Sequence, residues 1–114
     1  MRTMTNNTYW RKSLYWLRVN FPLENKISVK CKNKLSSDDP NDAGVCIQFD
    51  DNSVKIEINK KQCFDLKIDA LIHEWAHALT FDSKNIDDHG DDWGKMYSRI
   101  YRKFVKWNFG EKTE

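Results

Sequence analysis

Asp65-Leu66-Lys67-Ile68-Asp69-Ala70-Leu71-Ile72-His73-Glu74-Trp75-Ala76-His77-Ala78-Leu79-Thr80-Phe81 carries two signals at once, one for fold and one for chemistry. At 100° per residue, Ile72, Trp75 and Leu79 fall within about 40° of the Ile68 direction. Leu71 and Ala76 flank that stripe. His73 and His77 fall at about 140° and 180° on the same wheel, on the opposite side. The periodicity predicts a helix from near Asp65 to about Phe81. Its aliphatic face packs on a sheet, and both imidazoles point away from it.

The neighbouring elements follow from their own spacing. Upstream, an Asn/Thr cluster ending at Thr8 precedes Trp10, Leu14, Leu17 and Phe21, whose steps of four, three and four make one helical stripe. Pro22 stops that helix. Ile27, Val29 and Cys31 alternate with Ser28, Lys30 and Lys32, a strand with one wet face. Residues 35–44, with Ser36-Ser37-Asp38-Asp39-Pro40 inside them, read as a loop. Val45, Ile47 and Phe49, then Val54, Ile56 and Ile58, alternate around Asp50-Asp51-Asn52-Ser53 and predict a β-hairpin. Past a loop at 82–92, a last helix starts near Asp91 or Asp92. It carries Trp93, Tyr97, Ile100, Phe104 and Trp107 in an apolar row. The expected fold is a single α+β domain over residues 1–114: N-terminal helix, three-stranded mainly antiparallel sheet, motif helix and C-terminal helix.

Composition narrows the function classes. The chain has 114 residues, the size of one domain, and its 13% aromatic content, five Trp among them, separates it from disordered chains. Its longest apolar run is the four residues Leu14 to Leu17, too short to span a membrane. The segment Met1 to Asn7 has no signal-peptide core, so the expected location is the cytoplasm. Three Cys with no C-x-x-C pair (Cys31, Cys46 and Cys63) argue against a disulfide framework and a thiolate zinc ribbon, leaving half-buried free thiols. A net charge of +2 implies no partner, but the charge is unevenly spread. Residues 1–34 hold eight basic residues and one acid, and residues 95–114 hold six and two. The central stretches are acidic.

All three His of the chain lie in one short segment: His73, His77 and His89. The first two frame His73-Glu74-Trp75-Ala76-His77, an H-E-x-x-H motif. Residues i and i+4 sit one turn apart, so two imidazoles reach a single zinc at about 2.0–2.1 Å. Glu74 beside them is the candidate general base, taking a proton from the attacking water. The third ligand is open between His89 and the nearby aspartates, with Asp87 and Asp88 the fallbacks. Gly at 80 and His at 83, which a metzincin needs, are replaced by Thr80 and Ser83. No Glu occurs between Glu74 and Glu111 to serve from the next helix. The expected load is one zinc per chain.

His73, Glu74, His77 and Ala78, followed by His89, Gly90 and Trp93, resemble the signature of the SprT-like zincin family, which includes the Spartan-type proteases. That signature is H-E-x-x-H-A, a short connection, then H-G-x-x-F/W opening a helix. The resemblance implies a minimal zincin metalloprotease domain in which His73, His77 and His89 bind zinc and Glu74 is the base. It also implies a zinc-dependent endopeptidase acting on protein or peptide substrates, some of them associated with DNA. Many relatives carry a zinc ribbon or recruitment module after the catalytic segment, and residues 1–114, with no C-x-x-C pair, are not expected to include such a ribbon.

Two other classes remain beside the enzyme. One is a non-catalytic binding module in which the metal is structural, and the other is a nucleic-acid or protein adaptor. Lys95, Arg99, Arg102 and Lys106 recur at helical spacing away from the apolar row. They form either a solvated helix face or a contact surface for DNA. Tyr97 and Tyr101 are candidates for donating to an oxyanion, with core packing as the alternative for both.

Overall fold

The computed structural model describes residues 5–37, 39, 41–81 and 90–108. Helix α1 spans Asn6–Asn20 and begins two residues before the Asn/Thr cluster ends, because Thr5 rather than Thr8 caps it. The Thr5 hydroxyl accepts the Thr8 N–H at 3.1 Å, satisfying one of the free donors of the first turn. The helix closes with the Phe21 N–H donating to the Leu17 carbonyl, and Pro22 follows. Leu17 and Phe21 are buried as the stripe requires, and so is Trp16 beside them.

Strands β1 (Ile27–Lys32), β2 (Gly44–Gln48) and β3 (Val54–Asn59) make one sheet in the order β1-β3-β2. The expected hairpin is there: β2 and β3 are antiparallel, with Cys46 opposite Ile56. Asn52 takes a positive φ of 69° in the turn. Asn tolerates that conformation better than most residues. The expectation of a mainly antiparallel sheet is corrected, because β1 and β3 run parallel, Ile27 opposite Val54. Two features account for the mixed sheet. Val54, Ile56 and Ile58 are buried on one face of β3 and Glu57 on the other, so β3 takes the centre. The β1–β2 connection crosses the outer face of β3, where the Ser36 N–H and hydroxyl donate to the Glu57 carboxylate at 2.7 and 3.0 Å. The chain therefore reaches the far edge before turning back into the hairpin.

Helix α2 covers Phe64–Leu79 and α3 covers Asp91–Asn108, close to both predicted ranges. α2 lies on β2 and β3 with Ile68, Leu71, Ile72, Trp75 and Ala76 buried, as its periodicity dictates. Trp75 is fully buried, and its indole N–H donates to the Phe21 carbonyl at 2.9 Å, tying the end of α1 to α2. Ile100 and Phe104 bring α3 into the same core, where Phe104 meets Trp16 edge-on at 5.4 Å between ring centroids. Of the thiols, Cys46 is half-buried, whereas Cys31 and Cys63 are exposed at the ends of their elements. Among the described residues no helix is long and apolar enough to cross a membrane.

Candidate metal centre

The helical wheel puts His73 and His77 on the side of α2 that the sheet does not cover, and both side chains are half-buried there. Their ring centroids are 5.0 Å apart and the rings are 66° from parallel. Neighbouring imidazoles on one helix face are the donor pair that a borderline cation such as zinc takes.

Helix α3 returns beside this pair and supplies aromatic walls. The Trp93 indole lies edge-on to His73 at 4.8 Å and stacks on His77 at 5.3 Å, while its N–H donates to the His73 carbonyl at 3.3 Å. Tyr97 stacks on the other side of Trp93 at 5.1 Å and 6° from parallel. Its hydroxyl donates to Asp69 Oδ1 at 2.6 Å. Burial first, and then the Asp69 carboxylate, push the Tyr97 phenol above its ordinary value. Tyr97 is thus engaged in packing and in holding Asp69, and Tyr101 is exposed. Asp69, one turn before His73 on α2, is a site neighbour that sequence reasoning passed over. Its spacing of four from His73 is the signal that could have found it.

Glu74 points elsewhere. It is 6% exposed and turned toward β2, with one carboxylate oxygen 3.9 Å from His73 Nε2. A Cβ at Gly44 would lie 3.2 Å from Glu74 Cγ and 3.1 Å from the Glu57 backbone oxygen, so a side chain there would crowd the carboxylate. Gly44 is a second residue that the sequence did not mark. Burial, aided by the charge of Asp42, raises the Glu74 carboxyl to about 7 in the metal-free protein. A bound cation next to it opposes that rise.

Among the described residues no three His, Cys, Asp or Glu side chains form a group that could hold a metal ion. His89, Asp87 and Asp88, the candidate third ligands, and most of the predicted metal-site loop lie outside the described residues. Asp91 and Asp92, the end of that predicted loop, belong to α3. Lys95, Arg99, Arg102 and Lys106 are all exposed on α3. No protein-family profile, curated protein or solved structure matches the chain.

Proposed function

We propose that the chain is a zinc-dependent metalloendopeptidase of the SprT-like zincin type, hydrolysing peptide bonds of protein substrates. One observation carries this reading: two imidazoles share the face of a core helix turned away from the sheet, and the Glu between them turns toward the edge strand β2. His73 and His77 would hold one zinc, with His89 as third ligand. When bound, zinc supplies Lewis acidity to a carbonyl and to water. Glu74, desolvated between α2 and β2, takes the proton of the attacking water and returns it to the leaving amine. Trp93 and Tyr97 fix the imidazole face from the α3 side. β2 pairs only with β3 among the described residues, so its free edge suits an extended peptide lying beside Glu74.

Glu74→Gln is the deciding experiment. The amide keeps the shape and removes the base. Zinc content should stay, while cleavage of an unfolded protein falls by about 10²–10⁴-fold. A parent protein that binds zinc with four protein ligands and cleaves nothing would replace the enzyme by a metal-stabilised binding module. The exposed row Lys95, Arg99, Arg102 and Lys106 supports DNA-associated substrates. Oligonucleotide affinity that falls steeply with salt would bear that part out.

A further inference from the structure

The surface between α1 and the end of α3 is hollowed over aromatic and aliphatic side chains. A groove of about 520 Å³ runs there, floored by Tyr15, Trp16, Val19 and Trp107 and edged by Arg11 and Lys12. Tyr15 is 69% exposed and Val19 56%, and one turn apart in the same groove they make a contiguous apolar patch rather than scattered side chains. Along α1 the lining residues follow the helical repeat, and from Thr8 to Asn20 they cover about 18 Å of axis.

The only charged residues that line the groove, Arg11 and Lys12, are both basic. α1 contains Arg11, Lys12 and Arg18 and no acid. From α3 the groove takes only the uncharged Trp107. A second copy of the chain docked groove to groove would set α1 cations against α1 cations, so charge opposes that two-fold contact. Nucleic acid satisfies the charge but not the floor. Trp107 is stacked on Trp16 at 5.6 Å and lies tilted against Phe104 at 5.4 Å, so one of its faces is already engaged. Val19 offers no ring for a base to stack on, which leaves Tyr15 as the one open ring among the described residues of the floor.

From these features we infer that the α1–α3 groove docks an acidic amphipathic helix of a partner protein. Its apolar stripe would lie along Tyr15, Val19 and Trp107, and its carboxylates would face Arg11 and Lys12. This is helix-in-groove recognition, where apolar anchors at steps of three and four give affinity and the charged rim gives orientation. The surface is separate from His73, Glu74 and His77, so the inference stands whether or not the chain is a peptidase.

The test uses the full chain and a fluorescein-labelled synthetic peptide of about 18 residues, long enough to hold a helix. Leu occupies one face of the peptide and Glu the remainder. A second peptide of the same composition is scrambled to remove the stripe. Anisotropy titrations should show the patterned peptide binding about tenfold or more tightly than the scrambled one. Val19→Glu and Tyr15→Ser should each remove about that much affinity. Reversing Arg11 and Lys12 to Glu should weaken binding and flatten its salt dependence. Both aliphatic-face changes are at exposed positions, and the charge-reversal pair gives an independent reading if either misfolds. Equal binding of both peptides would overturn the proposal, as would binding indifferent to Val19 and to the Arg11/Lys12 pair. A thymidine oligonucleotide held through Tyr15 while the patterned peptide is refused would make the groove a nucleic-acid site. A dimer in sedimentation that Val19→Glu dissociates would make it a self-interface.

Discussion

The Trp93 indole stacks on the His77 imidazole, with ring centroids 5.3 Å apart and planes 25° from parallel. One residue of α3 thus touches both motif histidines and reports on them. Zinc added to metal-free protein should change tryptophan emission, although four other Trp contribute background. Trp93→Phe should abolish most of the change while zinc still binds. Trp93→Ala should also lower zinc affinity about tenfold, the low end of the loss seen when a group orienting a ligand is removed. Emission unmoved by saturating zinc in the parent would exclude a metal at His77.

His89 is the only other imidazole in the chain. His89→Ala should lose the one zinc per chain, read by elemental analysis after dialysis. If the zinc remains, the third ligand is an aspartate, and Asp88→Ala becomes the informative change.

What the sequence revealed depended on how far each feature reached beyond its own segment. The face of α2 was legible because period and burial agree: Ile72 and Trp75 went inside and the imidazoles stayed at the surface. The pairing of His73 with His77 needed only spacing within one helix. The parallel β1–β3 pair was not legible, since alternation in β1 tells which side is wet and nothing about which strand lies alongside. Glu57 was misleading for the same reason. It sits at a position that alternation assigns to solvent, yet it is fully buried because a distant loop crosses over it at Ser36. Asp69 and Gly44 entered the site through contacts with α3 and with β2–α2 packing, and only tertiary structure supplies those.

Gly44 offers a way to disturb Glu74 without touching the imidazoles. In Gly44→Ala the new Cβ would stand 3.1 Å from the Glu57 backbone oxygen and 3.2 Å from Glu74 Cγ. A third neighbour, Ile58 Cδ1, would stand at 3.1 Å, and the two side chains, Ile58 and Glu74, rather than the Glu57 backbone must give way. Misplacing a catalytic group by about 1 Å can cost about 10²-fold in rate, whereas the overpacking itself should cost about 1–3 kcal/mol of stability. Peptidase activity should therefore fall in folded protein whose zinc content is unchanged. Val45→Ala, on the opposite face of β2, should leave activity near that of the parent. Equal activity in Gly44→Ala and parent would show that Glu74 needs no fixed place beside β2.

The acid limb of stability should trace to Glu57. Burial alone would raise this carboxyl, but four donations outweigh it: the Ser36 N–H, the Lys32 ammonium, the Ser36 hydroxyl and the Lys55 ammonium hold it at about 2. The ammonium contacts are 3.1 Å from Lys32 and 3.2 Å from Lys55. A folded-state value below the unfolded one means that the unfolded chain binds the proton more readily. The contribution is thus complete above the ordinary glutamate range and is lost as pH falls through about 2. Thermal unfolding should show the parent losing stability between about pH 5 and pH 2. Glu57→Gln removes the charge at all pH values. It should be about 1–3 kcal/mol less stable near neutrality, because Lys32 and Lys55 lose their anionic acceptor. The two proteins should converge toward acid as the parent's carboxylate becomes protonated. Curves that stay parallel from neutrality to the acid end would mean that the Ser36 crossing, and with it the path from β1 to the far edge of the sheet, is held by something other than the Glu57 charge.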